Sequence, residues 1–353
     1  MKGQSVVEAY FAIPGDLATQ TGGYAYDRRL MKELPALGIA VHYLPLPGGF
    51  PDASDDDVTG ALSALSGTPE GSTILIDGLA FGALPKSAVA KVNRRLIALV
   101  HHPLALETGL SDAQKDRFRT CERDALSLAD RVVATSPTTA KVLADDYHVD
   151  TSLITVAQPG TDPAQRATGT AMPLQLLCVG AVSKRKGYDV LVNALRPMSE
   201  QSWRMTIVGA LDRGPGTADH LQQMIDDYGF QERITLSGVV VPATLDRLYE
   251  SADLFLMPSL YEGYGMVLAE AMARGLPIIC TTGGAASETV PDEAALKVPP
   301  GDVTALSRAL ADAMADKKLR ARLADASWDA GRTLPTWQET ARRVAAAIMD
   351  LRS

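Results

Sequence analysis

Two glutamates, Glu262 and Glu270, lie eight positions apart near the middle of the second half of the chain. Glu262 falls in a predicted loop after a strand, and Glu270 falls in the next predicted helix among apolar neighbours. A carboxylate in that setting is costly to bury unless something donates hydrogen bonds to it, as a ribose diol would. Gly263 and Gly265 let the backbone approach a ligand at a helix N-terminus, which favours phosphate. The alternative is a tight loop with one solvated and one paired glutamate.

Three consecutive cations, Lys184, Arg185 and Lys186, follow another predicted strand and precede a helix that begins near Gly187. Cations beside a helix N-terminus are suited to holding a diphosphate. A solvated charge cluster is the ordinary alternative.

Two of the five histidines, His101 and His102, follow a third apolar strand. Ligands of open α/β sheets bind outside the carboxyl ends of the strands, so a histidine at this place is a candidate for chemistry. A buried structural histidine is the alternative. Gly22 and Gly23 precede a helix predicted to begin at about Tyr24, where their amides could bind an anion; the alternative is a flexible surface loop.

Short apolar runs alternate with amphipathic stretches along the whole chain, which predicts parallel sheets covered by helices. Predicted strands are 6–13, 39–46, 72–76, 96–100, 131–134, 153–156, 174–179, 204–208, 234–236, 254–257, 278–281 and 295–298. The fold class is therefore α/β, with two Rossmann-like doubly wound domains. We predict an N-terminal domain over 1–165 and a C-terminal domain over 170–330. Residues 331–353 form a last helix that could pack on the N-terminal domain; we expect the active site in the cleft between the domains.

The composition excludes several classes of protein. The 353 residues carry a formal charge of −8, which argues against general nucleic-acid binding. The three cysteines lack metal-ligand spacing, and the N-terminus lacks a signal-peptide pattern, so we expect a cytoplasmic protein. The acidic run Asp55–Asp57 invites a metal reading, but its Pro/Gly/Ser-flanked setting favours a helix start or a solvated run.

The segment 257–281 resembles the E-x7-E signature of retaining glycosyltransferases of family 4, which have the two-domain GT-B fold. The resemblance covers essentially the whole chain. It implies that His101 points toward the transferred sugar, with His102 as the other candidate, and that Lys186 holds the diphosphate. Family members commonly have Arg where this chain has Ala181. Either Arg185 takes that role, which we favour, or the diphosphate is held more weakly.

The resemblance implies a catalytic set of His101, Lys186 and Glu262. It implies a larger donor-binding set: Gly22, Gly23, Gly209, Arg185, Lys186, Val239, Glu262, Gly263, Tyr264, Gly265, Met266 and Glu270. No cofactor and no metal are expected, because Lys186 and helix N-termini can neutralise the diphosphate.

The predicted function is retaining transfer of a hexose from a nucleotide diphosphate sugar to a hydroxyl acceptor. A UDP-sugar is favoured over a GDP-sugar, and the acceptor is a lipid, a glycan or a small molecule. The alternatives are another GT-B enzyme, such as a glycoside phosphorylase, and a non-catalytic nucleotide-sugar-binding regulator. Basic residues between Lys86 and Arg95, beside Val89, Val92 and Leu96, would also allow peripheral contact with an anionic membrane; a solvated helix face is the alternative.

Overall fold

The computed structural model describes residues 7–170, 172–214 and 216–351. The chain divides into two compact units: residues up to Gly160 together with those from Pro335 onward, and Thr161–Leu334. Val6, the first residue of the first predicted strand, lies outside the described residues, as does the segment 1–5 considered as a leader. No helix among the described residues is long and apolar enough to cross a membrane.

The first unit contains a six-stranded parallel sheet with the order β2-β1-β3-β4-β5-β6. All five residues of the inner strand β3 are buried, as expected for a parallel strand covered on both faces. The strands are β1 Val7–Pro14, β2 Ile39–Leu46, β3 Thr73–Asp77, β4 Arg95–Val100, β5 Arg131–Ala134 and β6 Ile154–Val156. The helices are α1 Gly22–Glu33, α2 Asp55–Ser66, α3 Gly78–Phe81, α4 Lys86–Val89, α5 Asp112–Leu126 and α6 Pro137–Tyr147.

The second unit repeats this plan with the order β12-β11-β10-β7-β8-β9, again all parallel. Its strands are β7 Leu174–Val179, β8 Trp203–Val208, β9 Ile234–Gly238, β10 Leu254–Met257, β11 Ile278–Thr281 and β12 Ala295–Val298. Its helices are α7 Tyr188–Leu195, α8 Thr217–Asp227, α9 Pro242–Ser251, α10 Met266–Ala273, α11 Ala286–Thr289, α12 Val303–Ala315 and α13 Lys317–Gly331. The predicted fold class is confirmed, and each predicted strand is present.

The last helix, α14 Trp337–Asp350, is part of the first unit. Thr336 and Glu339 form a capping box at its start, which satisfies free backbone amides of the first turn. Its apolar face, which includes Trp337, Val344 and Ile348, is buried. Thr340 donates a hydrogen bond to the Gln158 carbonyl at 2.7 Å.

Each sheet has a point at which the strand order reverses, and such points are the usual ligand sites of doubly wound folds. In the first unit the chain places β2 on one side of β1 and β3 on the other. In the second unit, β8 lies on one side of β7 and β10 on the other. Loops after these adjacent strands therefore meet at one edge of each sheet.

Local structure decides two details of the sequence interpretation. Asp55–Asp57 form the first turn of α2, with Ser54 as N-cap, which confirms a helix start. The last helix is shorter than the predicted span 331–353, because α13 continues to Gly331 and α14 begins only at Trp337.

The basic segment does not form an amphipathic surface helix. α4 ends at Val89, and β4 already begins at Arg95. The apolar side chains of Val89, Val92 and Leu96 are buried in the core, so they are not available to enter a bilayer. The prediction that these three apolar residues could contact a membrane is therefore wrong.

Candidate functional site

In the second unit, the loops that follow β7 and β10 meet in an ion cluster. Lys186 Nζ lies 2.6 Å from Glu262 Oε1, and an Arg185 guanidinium nitrogen lies 3.3 Å from the same oxygen. The guanidinium also donates to the Tyr261 carbonyl at 2.8 Å. Lys184, the third cation of the run, is exposed. Two of the three consecutive cations thus converge on one carboxylate.

Glu262 is 6% exposed and ionised. Burial by itself raises its pKa, but the charges of Lys186 and Arg185, together with hydrogen bonds, outweigh burial and lower the pKa to about 2. The carboxylate therefore keeps its charge at every pH at which enzymes ordinarily work. Cationic side chains at a strand end are suited to binding an anionic group of a ligand.

The backbone around Glu262 is fixed from both sides. Its amide donates to the Gly283 carbonyl at 3.2 Å, and its carbonyl accepts from the Ala285 amide at 2.8 Å. Gly187 ends the cationic turn that follows β7 and has a φ of 62°. A Cβ on Gly187 would lie 2.4 Å from the Pro258 carbonyl oxygen, so the turn packs closely against the end of β10. The cations and the glutamate are held by main-chain contacts before any ligand binds.

The start of α10 completes this edge of the sheet. Gly265 precedes the helix with a φ of 89°, which only glycine adopts freely, so α10 begins at Met266 with its first amides unpaired by the helix. Tyr264 is buried in the core, and its carbonyl accepts a hydrogen bond from Thr289 at 2.6 Å. Tyr264 can therefore offer a ligand little except its amide. Gly263, half-buried, lies between Glu262 and Tyr264.

Glu270 is half-buried in α10 and is paired within the protein. The Tyr249 hydroxyl donates to its Oε2 at 2.8 Å. Burial raises the pKa of Glu270, and the opposing effects of Tyr249 and Arg274 do not cancel the increase. The structure therefore agrees with the alternative that one glutamate is paired within the protein. Tyr249 donates to one of the two carboxylate oxygens of Glu270.

Two more predicted donor-binding residues follow neighbouring strands. Gly209 follows β8, and a Cβ there would lie 2.2 Å from the Gly180 carbonyl oxygen, so the two glycine loops touch through their backbones. Val239 follows β9 and is 56% exposed, which is high for a valine. Neither residue contacts the ion cluster through a side chain.

In the first unit, His101 is held by two carboxylates. It is the first residue after β4, as predicted, and its Nε2 lies 3.3 Å from Asp27 Oδ1 and 3.4 Å from Asp77 Oδ2. Asp77 is the last residue of β3, and Asp27 lies on α1. Both aspartates are buried.

One face of α1 surrounds the His101 ring. Gly23, Tyr26 and Asp27 are spaced three and four apart, which places them on one side of the helix. A Cβ on Gly23 would lie 3.2 Å from His101 Cδ2, so glycine leaves room for the ring. Tyr26 meets the ring edge-on at 5.3 Å. Gly22, the first residue of α1, is exposed, and the helix begins two residues before the predicted start at Tyr24.

The two buried aspartates favour a protonated His101 ring. Burial by itself lowers the pKa of His101, but hydrogen bonds and charge from Asp27 and Asp77 outweigh it and raise the pKa to about 10. Burial and the charge of Asp77 raise the pKa of Asp27 above its usual range. Among the described residues, these three side chains form the group whose atoms, within 4.8 Å of one another, could also surround a metal ion.

His102 occupies a different environment. Its Nε2 lies 3.5 Å from Glu107 Oε2, on the loop that continues from His101. The next turn, Leu104–Leu106, is held by Glu122, which accepts a hydrogen bond from the Leu104 amide at 3.0 Å.

Asp27, Asp77 and Glu122 were not singled out from the sequence. A signal existed for Asp77, because it directly follows the predicted strand 72–76 at the same sheet edge as His101. A weaker signal existed for Asp27, which shares helical spacing with Gly23. Glu122 gave none, because a glutamate on an amphipathic helix is usually solvated.

Comparison with known proteins finds family models that match two parts of the chain. Residues 164–328 match the family of glycosyl transferases group 1, and residues 74–165 match glycosyltransferase family 4. Each match covers less than half of the chain. Mannosylfructose-phosphate synthase of Agrobacterium fabrum is 28% identical over 62% of this chain and 52% of its own length. A D-inositol 3-phosphate glycosyltransferase of Stackebrandtia nassauensis is 27% identical over 90% of this chain and 78% of its own.

Solved structures agree on the architecture. Sucrose-phosphate synthase from Thermosynechococcus elongatus superposes with a TM-score of 0.81 and 22% identity, over 98% of this chain and 99% of its own. Anabaena Alr3699/HepE in complex with UDP-glucose gives 0.76 at 16% identity, over 97% and 99%. At these identities the likeness shows the fold. The chain spans about half the length of some relatives in sequence comparison, such as the D-inositol 3-phosphate glycosyltransferase of Paenarthrobacter aurescens, of which 49% is covered.

Proposed function

We propose that this protein transfers a hexose from a UDP-sugar to a hydroxyl acceptor, with retention at the anomeric carbon. The observation that carries the proposal is the cluster of Lys186, Arg185 and buried Glu262 at the point where the strand order reverses in the second unit. The solved complexes of Anabaena HepE with UDP and UDP-glucose, which share the fold, favour UDP as the nucleotide.

The proposed roles follow from the charges. Lys186 and Arg185 bind the diphosphate, whose negative charge grows as the sugar leaves, and preorganised cations stabilise that charge. Glu262 holds both cations in place in the free protein and accepts hydrogen bonds from sugar hydroxyls in the complex. The free amides at the start of α10 add further donors, and Glu270 binds the ribose.

We assign His101 a role in turnover and not in donor affinity. Its ring is held by two aspartates of the first unit, whereas the cations proposed to hold the donor lie in the second. A substitution at His101 should therefore lower kcat with little change in nucleotide affinity.

The acceptor class is proposed from the relatives. The enzymes named above act on inositol 3-phosphate or are named as synthases of phosphorylated disaccharides. We propose a small phosphorylated polyol or sugar as the acceptor of this protein. A panel of D-inositol 3-phosphate, fructose 6-phosphate and their unphosphorylated forms, with release of UDP as the readout, tests this choice.

We further propose that transfer needs no metal ion or other cofactor, because two side-chain cations already lie where the diphosphate would bind. Activity should survive EDTA. Loss of activity in EDTA that manganese or magnesium restores would contradict the proposal. A cytoplasmic location is proposed on the evidence of three free thiols, Cys121, Cys178 and Cys280.

Calorimetric titration with UDP and GDP tests the site directly. Lys186→Ala should weaken UDP binding by about 10–100-fold, the effect of losing a charge-assisted hydrogen bond. Arg185→Ala should do the same if Arg185 replaces the arginine that position 181 lacks. Lys184→Ala is the matched control, since Lys184 is exposed, and should bind as the unmodified protein does. Equal affinity in all three variants would remove the cluster from the donor site.

A further inference from the structure

The His101 ring makes contacts that its role as a substrate ligand does not by itself require. One ring nitrogen, Nε2, faces two carboxylates at 3.3 and 3.4 Å, and these come from different elements, α1 and β3. The backbone is tied as well: Thr135 donates to the His101 carbonyl at 3.0 Å. The Tyr26 ring packs edge-on against the His101 ring, and the Tyr26 hydroxyl donates to the Ala157 carbonyl at 2.8 Å.

Burying both aspartates as carboxylates destabilises the fold unless a positive charge lies beside them. Asp27 is 0% exposed and Asp77 1%. A buried carboxylate without a counter-charge is strongly destabilising, and the ion partner that the structure gives both of them is His101. A neutral imidazole carries one ring hydrogen and no charge, whereas an imidazolium carries a positive charge and one hydrogen on each ring nitrogen.

Asp77 is itself fixed in direction. Its Oδ1 accepts from the Leu79 amide at 2.7 Å, which caps α3 and leaves Oδ2 for His101. Asp27 is fixed by its helix, and its second oxygen is buried without a hydrogen-bond donor among the described residues. The cluster thus offers more hydrogen-bond acceptors than the ring has hydrogens, and this surplus favours keeping a proton within the cluster.

We propose that Asp27 and Asp77 are positioning residues that hold His101 as an oriented imidazolium, with Nδ1–H left as the donor available to the substrate. The proposal rests on the proposed function, because it assigns the aspartates their effect through the turnover role of His101. No bond is made or broken in this step; the ring supplies a fixed positive donor, and its proton stays on the ring. Because the ring is already oriented in the free protein, no free energy is needed to order it during the reaction.

Isosteric substitutions separate this role from a structural one. Asp27→Asn and Asp77→Asn should each lower kcat by about 10–100-fold, the scale of a misoriented group, while KM for the UDP-sugar changes less than about twofold. Asp56→Asn, at an exposed position in the first turn of α2, is the matched control and should leave both constants unchanged. Unchanged kcat in both cluster variants, or a rise in KM that accounts for the loss, would overturn the proposal.

A second readout depends neither on turnover nor on whether the two aspartate variants fold. In protein labelled with ¹⁵N-histidine, with the signal assigned through His101→Gln, both ring nitrogens of His101 should carry hydrogens at pH 8. The Asp27→Asn and Asp77→Asn proteins, where folded, should shift toward a neutral ring. A neutral His101 ring in the unmodified protein would overturn the proposal even if transfer is observed. A protonated ring would support it even if no tested donor is turned over, so the two proposals can fail separately.

The competing hypothesis is that Asp27, Asp77 and His101 bind a metal ion, and metal analysis of the protein tests it. The purified protein, and protein equilibrated with Zn²⁺ or Mn²⁺ and then desalted, should contain no stoichiometric metal. One equivalent that is lost in Asp27→Asn would overturn the proton-based assignment.

Discussion

The two glutamates of the eight-residue pair differ in what balances their charge. Glu262 has two cations, and its pKa is lowered to about 2. Glu270 has a tyrosine hydroxyl within the protein, and burial keeps its pKa raised. A carboxylate with a raised pKa and one neutral donor gains from further donors, which a ribose diol would supply.

We predict that Glu270→Ala weakens UDP binding by about 1–3 kcal/mol, the range for losing hydrogen bonds to a charged group. In the unmodified protein, affinity should also fall as the pH falls, because Glu270 takes up a proton at a higher pH than an ordinary glutamate. Glu270→Gln should lack that part of the pH dependence. Calorimetry between pH 8 and pH 5 measures both, and an Ala variant that is folded and binds normally would take Glu270 out of the site.

At this scale the sequence indicated the chemistry of single residues but not their pairing. Lys186 and Glu262 were each predicted as ligand contacts, yet they are 76 positions apart and contact each other. Their pairing depends on β7 lying beside β10. Strand order is decided by helix packing and by connections across the whole unit, and the apolar runs that reveal the strands do not encode it locally.

At the level of elements, α1 acts as the wall of the His101 environment. We predict that Gly23→Ala lowers kcat because the new Cβ would lie 3.2 Å from His101 Cδ2 and would push the ring off its carboxylates. Lys32→Ala, at an exposed position in the last turn of α1, is the control and should leave kcat unchanged. Steady-state kinetics and thermal melts of the pair test this; equal kcat in the two variants would contradict it.

Helix α5 supports the loop after His101 through a glutamate that prefers to be neutral. Burial raises the pKa of Glu122 to about 8, although the Leu104 amide and the Tyr147 hydroxyl act to lower it. Because this value lies above that of the unfolded chain, near 4.5, the stabilising contribution is complete below pH 4.5 and is lost as the pH rises through 8.

We predict that Glu122→Gln, which keeps the acceptor for the Leu104 amide, gains stability relative to the unmodified protein as the pH rises from 5 to 9. The expected change in the difference is on the order of a few kcal/mol. Urea unfolding at both pH values measures it. Parallel stability curves for the two proteins would show that Glu122 is not the group concerned.

Element boundaries show where sequence reasoning is reliable. The strands were predictable because buried parallel strands are short apolar runs bounded by polar residues. The start of the last helix was not, because α13 continues to Gly331 and α14 begins only at Trp337, inside the predicted span 331–353. The basic segment between Lys86 and Arg95 was wrongly considered as one amphipathic helix. Its apolar residues have helical spacing, but they belong partly to the short helix α4 and partly to β4.

At the level of the whole molecule, the chain returns at its end to the unit in which it began. Trp337 is buried and meets Tyr26 edge-on at 5.8 Å, and Tyr26 in turn contacts His101. The C-terminal helix therefore supports the α1 wall through a chain of aromatic contacts.

We predict that Trp337→Ala destabilises the first unit by about 3–5 kcal/mol, as large aromatic truncations in cores do. Hydrogen exchange should accelerate in α1 and β6 but not in the second unit. Trp328→Ala, at a half-buried position on α13, should have its effect in the second unit instead. Peptide-resolved exchange measures both, and an unaltered α1 in Trp337→Ala would contradict the support assigned to the last helix.

The central claim, that the cationic cluster of the second unit supports sugar transfer from a nucleotide donor, is tested most directly by steady-state release of UDP. We predict that the unmodified protein turns over a UDP-hexose with a hydroxyl acceptor. Lys186→Ala should lose about 100-fold or more in kcat/KM, because the diphosphate is charged in the ground state and more so in the transition state. Lys184→Ala should stay within about threefold of the unmodified protein, as exposed surface charges contribute little. Equal turnover by the Lys186→Ala and Lys184→Ala proteins, or no turnover of any nucleotide sugar by the unmodified protein, would contradict the account.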